Sequence, residues 1–271
     1  MKIYVLGSNG MLGRYVSSYF SNYFETIELN RCEIDATEIK EEILRAKLFS
    51  LGLKKGDIII NCVGVIKPIV DSVGIVDTIK INSVFPRVLS KICDELSVVM
   101  IHPTTDCVYD GRLGNYDENS IHDITDVYGR TKSLGEPNNC MVIRTSIIGE
   151  ELKNNRSLVE WVKSKKGCEA DGYIDHLWNG VTCLEWSKYV KKIIDKGLFW
   201  RGVRHIFSPK MVSKYELLEI LNKTYKLDIK VNKVNSDYAV NRTLSSIHKP
   251  IFDIIDLSEQ IEEMKNYKLK L

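Results

Sequence analysis

Residues 3–13 read Ile3-Tyr4-Val5-Leu6-Gly7-Ser8-Asn9-Gly10-Met11-Leu12-Gly13. The four apolar residues predict a buried strand. From Met11 the apolar positions Leu12, Tyr15, Val16, Tyr19 and Phe20 recur at helical spacing, so strand, tight turn and helix follow within a few residues. Glycine at the turn lets backbone amides approach an anion. The helix that starts there supplies free N–H groups and a partial positive charge. Gly7, Asn9, Gly10, Met11, Leu12 and Gly13 are therefore candidate contacts for a dinucleotide pyrophosphate. The spacing is G-x-x-G-x-x-G, a relative of the commoner G-x-G-x-x-G fingerprint.

The pattern repeats downstream. A second strand, Thr26-Ile27-Glu28-Leu29, ends at Asn30-Arg31. An NAD-preferring site usually has an acid near this position for the adenosine ribose. The guanidinium of Arg31 suits a 2′-phosphate instead, which favours NADPH and leaves NADH admissible; Asp35 is assigned to the same end of the cofactor. A helix is predicted over 36–51. The run Asp57-Ile58-Ile59-Ile60-Asn61-Cys62-Val63-Gly64 then reads as a strand buried on both faces, as in a parallel sheet. Asn61, Cys62 and Gly64 fall at its C-terminal end, where open α/β sheets bind ligands. Asn82 sits among apolar residues on the next helix, and packing and function are equally good readings of it. Strands at 98–103 and 141–146 continue the alternation. The fold class predicted is α/β, a Rossmann-type doubly wound parallel sheet over 1–150.

Past Gly149 the texture changes. A polar stretch (Lys153, Asn154, Asn155, Arg156) leads into Leu158–Val162. Trp178-Asn179-Gly180-Val181-Thr182 precedes a helix closed by Gly197, and Ser213 with Glu216 forms a capping-box pattern. Residues 151–271 are read as a small α/β substrate lobe, some segments of which return to the first domain. Such a lobe over the sheet edge makes a cleft.

Composition narrows the class. The chain has 271 residues, 44% hydrophobic and 27% charged, and a net charge of +2 without a basic block. Nothing in this suggests nucleic acid or a membrane as partner. No stretch reaches the ~18 consecutive apolar residues of a span. The seven cysteines are scattered and odd in number, which suits free thiols in a cytoplasmic, reducing compartment. No metal site is read from them, and a homodimer is admissible.

Thr104 to Glu136 carries the chemistry: TTDCVYDG at 104–111 and DVYGRTKSLGE at 126–136. On a helix Tyr128 and Lys132 lie one turn apart on one face. An ammonium there is expected to lower the phenol pKa and make Tyr128 a usable proton donor. A hydroxyl from Thr104 or Thr105 could share the substrate oxygen. Tyrosine and lysine at this spacing are common by chance; their occurrence behind a glycine-loop domain gives them meaning.

Together with IRTS at 143–146, these motifs resemble an extended short-chain dehydrogenase/reductase, and most of all the dTDP-4-dehydrorhamnose reductase family. The resemblance is specific over residues 1 to about 150 and looser beyond, through WNGVT and NRTLSS. It implies reduction of the 4-keto group of a 4-keto-6-deoxy nucleotide sugar, UDP- or dTDP-linked, rhamnose-type or an N-acetylated analogue. Tyr128 would donate the proton, Lys132 would hold the nicotinamide ribose, and Thr105 would bond the keto oxygen. Thr104, Asp106, Cys107, Val108, Arg144, Trp178 and Arg242 would contact the substrate. The chain departs from the family pattern at Cys62-Val63 (often Ala-Ala), Cys107 (often Tyr) and Thr243 (usually Pro). Two alternatives share the fold: a nucleotide-sugar epimerase retaining NAD, and a non-catalytic NADP-binding regulatory subunit.

Overall fold

The computed structural model describes residues 1–151 and 157–270, so Lys153 to Arg156 lie outside the described residues. Strands β1 (Lys2–Leu6), β2 (Glu25–Leu29), β3 (Ile58–Asn61), β4 (Val99–Thr105) and β5 (Met141–Thr145) join Gly202–His205 in one six-stranded sheet. The order is Gly202–His205, β5, β4, β3, β1, β2, and every pairing is parallel. Parallel neighbours need crossovers, and the helices of those crossovers cover both faces.

Alternation along the strands sorts the core. Ile3, Val5, Ile58, Ile60, Ile101 and Ile143 face one side, with Tyr15, Val16, Trp186 and Val190 packed on them. Tyr4, Leu6, Ile59, Met100 and Val142 face the other, under Leu44, Leu48, Leu89 and Ile92. The isoleucine run of β3 is buried on both faces, as its sequence predicts.

Two later segments belong to this layer. The Cys183–Lys196 helix lies against the Met11–Phe20 helix, and Gly202–His205 extends the sheet beside β5. The former ends on Gly197 with φ 63°, the left-handed cap its sequence predicts. The Lys214–Tyr225 helix starts with both bonds of the Ser213–Glu216 capping box. One helix is shorter than expected: it spans Glu41–Ser50 rather than 36–51. The Thr37 amide and hydroxyl bond Asp35 Oδ1 at 2.9 and 2.8 Å, a local turn that competes with helix.

Residues 241–243 are stitched to the loop that follows β4. Asn241 N donates to Gly111 O (2.6 Å) and Tyr116 N to Thr243 O (2.9 Å). Asn115 N donates to Thr243 Oγ1 at 2.8 Å. No helix among the described residues is long and apolar enough to cross a membrane.

Candidate active site

The ends of β1, β3, β4 and β5 open on one cleft of about 490 Å³. Its walls include Gly10, Met11, Leu12, Asn61, Cys62, Gly64, Thr104, Thr105, Asp106, Cys107, Tyr128 and Lys132. Residues 10 to 132 of the sequence thus meet because parallel strands deliver their C-terminal ends to the same edge.

The glycine loop forms one wall. Gly7 has φ 74°, and a Cβ at Gly13 would stand 2.1 Å from Gly7 O. Only glycine at both positions lets the helix seat on the turn, so these two shape the loop while Gly10, Met11 and Leu12 face the cleft. The first helical bond is Arg14 N to Gly10 O at 3.0 Å. The amides of Met11, Leu12 and Gly13 precede it and stay available to an anion. Gly64 keeps the opposite wall bare, near Asn82 Oδ1 and Lys132 Nζ. A pyrophosphate-bearing dinucleotide fits this cradle. Asn9 is exposed beside it. Arg31 also lies outside the cleft wall, exposed at the tip of β2, with Nε 3.5 Å from Asp35 Oδ2.

A further wall is the Val127–Leu134 helix, which brings Tyr128 and Lys132 to the cleft. Asp126 caps it by accepting from Gly129 N at 2.8 Å. A Cβ at Gly129 would lie 2.3 Å from Cys107 O, so glycine there allows the helix to seat against the 106–108 turn. Asn82, on a π-helical turn (Lys80–Val84), anchors the other flank. Its side chain takes Val65 N (2.8 Å) and donates to Val65 O (3.0 Å) and Thr131 Oγ1 (3.2 Å). Packing and positioning are the same role for this residue.

The electrostatics differ from the expectation that Lys132 depresses the Tyr128 pKa. Burial pushes the phenol up, the Cys107 thiol adds to that, and a hydrogen bond with Thr105 opposes it. Burial pushes Lys132 down to about 8, while the Glu136 carboxylate one turn further holds it up. Desolvation outweighs pairing here, and the phenol keeps its proton at neutral pH. A reducing enzyme needs that form. Burial likewise raises the Cys62 and Cys107 thiols to about 12, which keeps both protonated at neutral pH. The Asp106 carboxyl is raised by burial, with Arg242 and Lys214 opposing.

Three sequence-assigned substrate contacts are not available to a ligand. Arg144 is 2% exposed, and all its N–H groups are used internally. Nε and Nη2 bond Glu136 (3.1 and 2.6 Å). Nη1 reaches Tyr109 Oη (2.6 Å) and His205 Nε2 (2.8 Å), and Nη2 also reaches His122 Nε2 (2.8 Å). Val108 is fully buried with Tyr109, Tyr116 and Leu244. Trp178 is 4% exposed and packs against Gly180. Arg242 is half-buried and donates to the Tyr109 and Asp110 carbonyls.

The sequence reading missed His102, buried beneath the cleft with Nδ1 3.2 Å from Asn61 Nδ2. Burial, then Lys132, holds its pKa far below the usual range. It also missed Glu136, although its i+4 spacing from Lys132 was visible.

A parallel sheet with a glycine cradle at β1 and a tyrosine–lysine pair on the facing helix define an extended short-chain dehydrogenase/reductase, an NAD(P)H-dependent oxidoreductase class. The chain belongs to the RmlD family: the family model described as the RmlD substrate binding domain matches residues 1–239. Among solved structures it is similar to a dTDP-4-dehydrorhamnose reductase from Clostridium acetobutylicum, with TM-score 0.79, 19% identity and coverage of 98% of this chain and 99% of that one. A Bacillus anthracis dTDP-4-dehydrorhamnose reductase in complex with NADP gives TM-score 0.81 at 17% identity, covering 98% of each chain. An L-threonine dehydrogenase from Phytophthora infestans gives 0.76 at 13%, covering 97% of this chain and 98% of that one. At these identities the likeness carries the fold. No curated protein sequence matches the chain significantly.

Proposed function

We propose that the chain reduces the 4-keto group of a 4-keto-6-deoxy nucleotide sugar at the expense of NADPH. The observation that carries this reading is the meeting of Thr105, Tyr128 and Lys132 on one wall of a cleft whose other wall is the glycine cradle. The cofactor, when bound, supplies a hydride to the carbonyl carbon. The chain's own residues do the rest. The amides at 11–13 take the pyrophosphate, and Arg31 lies at the end of β2 where a 2′-phosphate would reach it. Thr105 and Tyr128 hold the carbonyl oxygen, and the Tyr128 phenol gives its proton to the oxygen as negative charge develops. Lys132, buried one turn away, stabilises the phenolate left behind. NADH remains an admissible donor. All seven cysteines are free thiols, which favours the cytoplasm.

The test offers the purified chain a 4-keto-6-deoxy sugar generated by a dehydratase, in UDP and dTDP forms, with and without a 3,5-epimerase, and follows loss of reduced-nicotinamide absorbance. Turnover with one form supports the reductase and names its base. Tight NADPH binding without turnover of any form would overturn it in favour of a non-catalytic subunit. Retained oxidised NAD in the purified protein would point to an epimerase.

A further inference from the structure

A second cavity, of about 250 Å³, lies at the sheet edge made by Gly202–His205. No residue lines both it and the cleft. Its walls are aromatic: Tyr189 from the Cys183–Lys196 helix, Trp200 and Phe207 from either side of the edge strand, and Phe252 from the segment that leads into the Leu257–Asn266 helix. The Trp200 ring is held in place by its Nε1, which donates to Gly202 O at 3.1 Å.

Arg204 supplies the charge in this wall. It is half-buried, and its guanidinium lies over the Trp200 ring, 4.8 Å from the centroid. Among the described residues its side chain makes no hydrogen bond and has no acidic partner within ion-pair distance. Arg144 is the contrast, with every donor in use. A guanidinium fixed on a ring face with idle donors suits an anion that offers two oxygens side by side. Lys249 also lines the cavity and is likewise unpaired among the described residues, whereas Asp253, the lone acid of the lining, is exposed and pairs with neither cation. The wall is therefore apolar in body and positive in balance.

Size narrows the ligand. The cavity has about half the volume of the 490 Å³ cleft and falls just under the ~300–1,000 Å³ of pockets that take drug-sized molecules. A dinucleotide or a nucleotide sugar is too large for it. A flat ring packs well against indole and phenyl walls, and a carboxylate matches the Arg204 fork. We infer that this cavity is a second binding site, which takes a small aromatic carboxylate with its ring on the Trp200–Phe252 wall and its carboxylate on Arg204. The site is independent of the reductase reading, and either can fail without the other.

The experiment is calorimetric titration of the full-length chain, saturated with NADPH, using benzoate and cinnamate with benzamide and cinnamamide as their neutral counterparts. NADPH fills the cofactor side of the cleft, so heat from the acids reports the second cavity. Wild type should bind at least one acid on the order of tenfold more tightly than its amide, the worth of one charge-assisted contact. Arg204→Met should bring that acid down to the level of the amide, and Arg204→Lys should keep part of the difference. NADPH affinity should not change in either variant, which checks that both are folded. Wild type that binds neither acid, or an acid that binds no better than its amide, overturns the inference. So does an acid affinity unchanged in Arg204→Met, or binding seen only when NADPH is left out, which would place the acid in the cleft.

Discussion

Tyr128 and Lys132 differ in what burial does to them, and that difference sets the pH behaviour. Replacing Tyr128 by Phe keeps the ring and removes the proton. Turnover should fall on the order of 10²-fold or more with NADPH affinity barely altered; an unchanged kcat would remove Tyr128 from the chemistry. With the phenol raised by burial, the first group to titrate on the alkaline side is Lys132, at about 8. The reductive rate should hold below that value and fall above it as the ammonium is lost. Lys132→Arg, which keeps its charge, should run more slowly but without that limb; a limb that persists in this variant would assign it elsewhere. Arg31, proposed for a 2′-phosphate, is exposed and only loosely paired with Asp35, so it can turn to a phosphate. Arg31→Ala should weaken NADPH roughly tenfold while sparing NADH, and equal losses for the two would end its role.

Between elements, Arg144 is the cross-brace. It ties β5 to the end of the Val127–Leu134 helix through Glu136, to the loop after β4 through Tyr109 and His122, and to the sheet edge through His205. Both histidines present a ring nitrogen to the guanidinium and must be neutral there. Burial, then Arg144, lowers both, His205 to about 4. Between that value and ~6.5 the unfolded chain binds a proton that the folded chain refuses. Stability from His205 is therefore complete above the unfolded value and is lost as pH falls toward 4, by an order of 2–3 kcal/mol. Urea midpoints should drop more steeply with acid in wild type than in His205→Gln, whose amide can still accept from Arg144. Parallel slopes would show that this histidine does not govern the acid response.

At the scale of the molecule, the helical segment beside the Val127–Leu134 helix exposes Ile75 (57%), Val76 (67%) and Ile79 (41%). A cluster of this kind at one face is costly in water unless covered, and a second copy of the chain is the cover expected. Light scattering should report a dimer, and Val76→Lys should shift it toward monomer; a wild-type monomer at micromolar concentration would discard the idea.

Local sequence was enough for the alternating strands and helices up to Thr145, the glycine cradle, the tyrosine–lysine turn, the Gly197 cap and the Ser213–Glu216 capping box. Each depends on residues within a few positions of one another, where backbone sterics and helical spacing decide. It was not enough where long-range burial decides. Arg144 looks like a substrate contact in IRTS, yet Glu136, Tyr109, His122 and His205 arrive from four other places and consume its donors. Lys132 looks like the group that acidifies Tyr128, but the depth of the cleft pushes the pair the other way. The sequence expects some segments after 150 to return to the first layer, but only the fold shows that Gly202–His205 pairs with β5 and the Cys183–Lys196 helix packs on the Met11–Phe20 helix. Lys214 gave no signal at all until the fold set it over Trp178. The sequence by itself determined which local motifs exist, since their causes are local; the tertiary structure alone decided which side chains are desolvated and paired, because desolvation depends on everything packed around them.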